Sequence, residues 1–290
     1  MKEILGEIGV LTMREIRKWL RSPFLMFFTL VQPIIWMGLF GKAFNITGFI
    51  RIPDEMLQNL PPYVTSQLAE IFNNMMTRLF GTADIDYFSY IAVGMLSITI
   101  LFSSMSSGMG IAWDRRLGFL NKLLAAPIWR GSIIVSKVLS GVLRAVMQAA
   151  LLLLVALAFG ARFHVLFPLG PLAAFGALFF LALGLTSLFI ALGLRLKSWK
   201  SQAAVMNLLN LPLMFASNAL YPIALMPTWL QAIAQANPIS YAVDAVRQSF
   251  ILGSAANTAA LLTDLTVTTG FGIGLLMLSA YLAGTALQKN

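Results

Sequence analysis

The chain has 290 residues, 59% of them hydrophobic and only 11% charged, with a mean hydropathy of +0.82. Roughly a quarter of a soluble domain's residues are charged, so this composition excludes an ordinary soluble protein and predicts one all-α membrane domain over residues 1–290. The net charge of +9 is what basic membrane loops give, so no nucleic-acid partner is expected, and the absence of cysteine excludes disulfides and thiol chemistry.

Residues 3–21 predict an amphipathic helix within a segment 1–22 lying at the lipid headgroups. Glu3, Glu7, Arg14, Lys18 and Arg21 fall on one face, and Ile4, Ile8, Leu11, Ile16, Trp19 and Leu20 on the other. The acids among these first residues argue against a cleavable signal peptide. A first span is expected from Phe24 to about Phe44, then a polar external segment, 45–87, in which Pro61–Pro62 precedes a surface helix over 63–80.

The second span is expected over 88–111 and carries Ser103, Ser104, Ser106 and Ser107. A polar segment, 113–131, leads to a third span over 133–159, and a short connection containing His164 leads to a fourth over 169–194. Lys137 and Arg144 are expected to stretch from the third span toward the interface. The fifth span is expected over 203–221, with Asn207, Asn210, Ser217 and Asn218, and the sixth over 261–287, with Asp264 near its external end.

Between the last two spans, Pro222, Pro227 and Pro238 divide the segment 222–260. Two short helices fit there, 228–236 and 239–252, the second opened by Asn237 as N-cap with Pro238 at its first position. Such a pair predicts a re-entrant hairpin. Lys and Arg gather in 1–22, 113–131 and 195–200 and at Lys289, thirteen in all against five on the other side, so both termini are expected in the cytoplasm.

No reactive constellation stands out. His164 is the one histidine and reads as a solvated loop residue, so a metal site is not expected. The Gly41-Lys42 pair lacks the rest of a phosphate-cradling loop, so no cofactor is expected on this chain and it is not expected to be an enzyme. The spans hold almost no acids, which weakens an ion-coupled carrier.

Two stretches carry a resemblance. One is Arg115-Arg116-Leu-Gly-Phe-Leu-Asn-Lys-Leu-Leu-Ala-Ala-Pro127, ending in an LxxxP stop. The other runs from Asn218-Ala-Leu-Tyr-Pro222 through Met226-Pro227-Thr-Trp-Leu to Asn237-Pro238-Ile-Ser-Tyr241-Ala-Val-Asp244-Ala-Val-Arg247, an NPxxYxxxxxR pattern. With the N-terminal helix and six spans, the chain resembles the membrane subunits of type-2 ATP-binding-cassette exporters, closest to the drug-exporter-like branch.

The resemblance implies a half-transporter in the cell membrane, moving an amphipathic or lipid-like substrate outward. Its partners would be a second copy or a related permease, membrane lipid, and a separate ATPase subunit that binds ATP and Mg. It also implies that the 113–131 segment couples to that ATPase through Arg115, Arg116, Phe119, Leu120 and Lys122. An external gate would involve Pro222, Pro227, Asn237, Pro238, Tyr241, Asp244 and Arg247, with Asp244 and Arg247 paired three apart on a helix. Ser103, Ser107, Asn207, Asn210 and Asn218 are candidates for a translocation path, or for packing and hydrogen bonding between helices. The rival readings are a stand-alone secondary carrier and a non-transporting assembly protein.

Overall fold

The computed structural model describes residues 2–43, 61–81, 87–166, 168–196 and 198–288. About half of the expected external segment, 45–60 and 82–86, lies outside the described residues, as does Lys289. Eleven α-helices fill the described chain: α1 (Lys2–Leu20), α2 (Pro23–Gly38), α3 (Pro62–Phe80), α4 (Tyr87–Arg116), α5 (Phe119–Ala125), α6 (Arg130–Ala158), α7 (Leu169–Arg195), α8 (Trp199–Phe215), α9 (Thr228–Ala236), α10 (Pro238–Arg247) and α11 (Thr258–Gln288).

Four of these are long and apolar enough to cross a membrane: α4, α6, α7 and α11. Six spans were expected, and α2 and α8 fall short for visible reasons. α2 holds Pro33 and passes into a π-helical turn at Leu39–Ala43, while α8 holds Pro212 and stops at Phe215. Proline removes an N–H and crowds the preceding turn, so each helix is cut near it. Residues 216–221, expected to finish the fifth span, form turns instead.

α4 is the centre. Of its most apolar stretch 89% is buried within the chain, against 17% for α11, which packs chiefly along α7 and turns Leu262, Met277 and Tyr281 outward. A helix buried all round needs no polar face, and α4 has none. Two of its glycines let neighbours close in: a Cβ at Gly94 would strike the Ala219 carbonyl, and one at Gly108 would meet the Phe189 carbonyl at 2.6 Å. α6 and α7 flank it, and α2 leans on α6 through a 2.6 Å hydrogen bond from Gln148 Nε2 to Thr29 Oγ1.

α1 docks on α6 with much of the expected apolar face, Ile8, Leu11 and Ile16 half-buried and Trp19 buried, although Ile4 and Leu20 are exposed. Thr12, Glu15 and Trp19 are buried, whereas Leu5, Val10, Met13 and Leu20 are exposed. Glu7 and Glu15 turn toward α6, where Lys137, the Ser132 hydroxyl and a backbone N–H receive them, while Glu3 stays exposed. Glu7 accepts from Ser132 Oγ at 2.7 Å and Trp129 N at 3.3 Å, placing a carboxylate at the positive start of α6.

Candidate functional site

Two polar regions stand at opposite ends of α4. At its C-terminal end, the helix does not stop near Ile111 as expected but runs on to Arg116, carrying Asp114 into the interior at 4% exposure. Lys137 joins Asp114 to Glu15, the latter at 2.8 Å, and Lys18 adds a 3.9 Å contact to Asp114. Lys137 therefore reaches acids of two other helices rather than open solvent, its side chain only 12% exposed. Buried charges persist where partners and hydrogen bonds offset their lost hydration. Burial alone would raise the Glu15 carboxyl, but Lys137 first, then Lys18 and Arg14, hold it below its ordinary value of 4.5.

The expected coupling residues divide around this junction. Arg115 donates to the Leu194 and Leu196 carbonyls at 2.6 and 3.0 Å, satisfying the C-terminal end of α7. Beside it, Trp113 packs on Trp199 at 4.8 Å, and Gln202 of α8 donates to the Gly108 carbonyl at 2.9 Å. The chain then turns at Gly118, whose φ of 70° suits glycine, into α5. α5 ends before Pro127, as expected of a proline stop. Leu120 is buried in the chain's own core, and Phe119 lies 3.9 Å beneath the Arg14 guanidinium. Their apolar contacts are made internally, leaving Arg116 and Lys122 as the exposed members of the set.

At the other end, the short helices form where the prolines placed them. Asn237 caps α10 through Ile239 N at 3.0 Å and donates to the Leu213 and Ala216 carbonyls at 2.9 and 2.6 Å. One buried side chain thus joins the end of α8 to the start of α10. The second helix is shorter than expected, because α10 gives way at Gln248 to a π-helical turn ending at Leu252. Asp244 and Arg247 pair at 3.6 Å. Asn218 Nδ2 donates to Asp244 at 2.6 Å, and Arg247 donates to the Asn218 carbonyl at 2.6 Å and lies 3.6 Å over the Tyr90 ring. Tyr241 donates to the Gln235 carbonyl at 2.7 Å, while Pro222 and Pro227 bracket the turn before α9. A cavity of about 290 Å³ opens between this cluster and Arg78 of α3.

The remaining polar candidates are not gathered on one surface. Thr186 of α7 donates to Ser104 at 3.0 Å, and Ser107 accepts from Arg144 of α6 at 3.2 Å. Ser103 is buried, and Asn210 is buried with its Oδ1 unpartnered among the described residues. Asn207 alone faces outward, and Asn218 belongs to the α10 cluster. Ser217 turns back on the Met214 carbonyl at 2.7 Å. His164 is exposed, as expected of a loop residue. The junction of Glu15, Asp114 and Lys137 was not foreseen; the acid within an apolar helix and the base seven residues into the next were its only traces in the sequence.

Known proteins share this arrangement's sequence. The profile of the ABC-2 type transporter family matches residues 6–251. A putative transport permease (ycf38) of Porphyra purpurea is 30% identical over 252 residues, covering 84% of this chain and 74% of its own. The daunorubicin resistance ABC transporter permease protein DrrB1 of Streptomyces coeruleorubidus is 29% identical over 182 residues, 61% of this chain and 64% of its own. The inner membrane transport permease YadH of Escherichia coli is 26% identical over 258 residues, 86% of this chain and 93% of its own. With that match spanning most of its length, the chain belongs to the ABC-2 type transporter family of membrane permeases.

Proposed function

We propose that the chain is the membrane half of an ATP-driven exporter, working as a pair of permeases with two copies of a separate ATPase subunit. The cargo is an amphipathic or lipid-like compound moved outward, a direction favoured by the resistance role in one relative's name. In this reading the end carrying α1 and α5 faces the cytoplasm and the α9–α10 hairpin faces outside, in keeping with the one-sided gathering of bases. The stretch Pro23–Ala43 is about 30 Å long at helical rise and α8 about 25 Å, so with flanking turns they complete six crossings.

The observation that carries the reading is how α5 is mounted. It sits directly after α4, whose last turn is tied through Arg115 and Trp113 to the α7–α8 junction. A push on α5 is therefore delivered to three membrane helices at once, and packed helices answer such a push by discrete shifts rather than by bending. Arg116 and Lys122 are the exposed bases from which an ATPase surface would take hold. ATP and Mg stay with that partner.

Vesicles that contain the permease together with the ATPase purified with it should accumulate cargo only when ATP is supplied. Flux driven by an ion gradient in vesicles of the permease alone would overturn the proposal and favour a secondary carrier.

A further inference from the structure

The charges at the α1 end do not cancel. Lys137 binds Glu15 and Asp114, and Lys18 shares Asp114, so both acids of the junction are taken. Arg144, seven residues deeper on α6, is left with neutral partners, the Ser107 hydroxyl at 3.2 Å and the Ser140 carbonyl at 3.3 Å. Among the described residues no carboxylate lies within ion-pair distance of it. A guanidinium inside an apolar span is costly unless it faces a cavity or a counter-charge.

Arg144 has the cavity. A space of about 350 Å³ lies between α1, α4 and α6, with Lys18, Ser107, Lys137, Arg144 and the two carboxylates already paired with Lys137, Glu15 and Asp114, along its polar side, and Trp19, Met109 and Trp113 along its apolar side. That volume falls within the range of small-ligand sites, about 300–1,000 Å³. We infer that this cavity receives the oxyanion head of an amphipathic molecule, a phosphate or carboxylate held by Arg144, with its apolar body against the Trp19, Met109 and Trp113 side. Guanidinium is suited to the task because its planar fork meets two oxygens of such a group at once. The inference rests on the exporter reading for its meaning, since it narrows the cargo or a resident lipid to acidic amphipaths, but binding is read on the permease alone.

The test uses the full chain in neutral maltoside detergent, titrated calorimetrically with dihexanoyl phosphatidate, dihexanoyl phosphatidylcholine and inorganic phosphate. Phosphatidate should bind saturably, and Arg144→Gln should weaken it about tenfold or more, with Arg144→Lys losing less. Gly110→Leu supplies a variant that the fold tolerates, since Gly110 lines the cavity and a Cβ there meets no atom within 4 Å. It should abolish binding while the unfolding temperature stays unchanged.

The inference falls if Gly110→Leu binds as the parent does, or if phosphatidylcholine binds as tightly as phosphatidate. It also falls if inorganic phosphate binds as tightly, since the site then serves a free ion and not an amphipath's head. Should Arg144→Gln fail to fold, Gly110→Leu alone decides. Arg144-dependent binding without ATP-driven transport would keep the site and remove the exporter, and transport without such binding would do the reverse.

Discussion

The two ends of α4 are held by different chemistry. At the α1 end, formal charges from three helices meet with their side chains little exposed: Glu15, Asp114 and Lys137 form one chain of ion pairs. At the α10 end, a comparable join is made mostly by amide and carbonyl groups. Asn237 and Asn218 bridge the ends of α8 and α10, and the one ion pair there among the described residues joins the buried Arg247 to Asp244, whose side chain is 44% exposed. The first kind of join is stiff and intolerant, because losing one partner strands a charge. The second can lose a bond at modest cost and form it again. In the proposed exporter, driven from one end and opened at the other, stiffness at the α1 end and yielding contacts at the α10 end would suit a lever and a gate respectively.

That contrast can be broken by mutation, and the largest effect is expected at Lys137. Lys137→Met leaves Glu15 and Asp114 buried without their shared cation, and about 3–5 kcal/mol of stability should go, read as a fall in the unfolding temperature of the purified chain. Asn237→Ala removes a cap worth about 1 kcal/mol and orphans the Leu213 and Ala216 carbonyls, so a loss of about 2 kcal/mol is expected overall. A loss there as large as at Lys137 would erase the distinction between the two ends.

Acid sharpens the same comparison. The Glu15 carboxyl is held below its ordinary value, so its stabilisation is fully present above pH 4.5 and disappears as pH falls through the lowered value. Proteolysis within α1 should therefore accelerate below about pH 4.5 and not between 7 and 5, and Glu15→Gln should remove that step. Asp244→Asn keeps the hydrogen-bonding shape and leaves the buried Arg247 its Asn218 carbonyl and Tyr90 ring, so its cost should stay at about 1–3 kcal/mol, below that of Lys137→Met. An effect is expected on transport as well, if loosening this contact is part of opening.

The hairpin end was the more legible of the two, and the reason is sequence distance. Pro227, Asn237 and Pro238 set helix starts by their own backbone limits, and Asp244 with Arg247 meet because they lie one turn apart. The α1 end depends on pairs more than a hundred residues apart, Glu15 with Lys137, for which no local pattern exists. Asp114 fits a loop by composition because charge usually ends a span; its pairing with Lys137 of α6 offsets the cost of carrying it within α4. Arg115 likewise looked like a free base until the end of α7 came beside it. Four of the six expected spans are single long helices, and the other two are interrupted near Pro33 and Pro212, where composition alone gives one continuous apolar run.

In the proposed exporter, direct contact between the ATPase and two exposed bases, Arg116 at the end of α4 and Lys122 of α5, decides whether energy enters at this end. The measurement is the affinity of the ATPase for the permease carrying Arg116→Glu and Lys122→Glu together, alongside its unfolding temperature. Both side chains are exposed, so stability should hold within about 0.5 kcal/mol, while affinity and ATP-driven transport drop at least about tenfold, or roughly 1.4 kcal/mol. Unchanged affinity and transport in that doubly reversed permease would contradict the account.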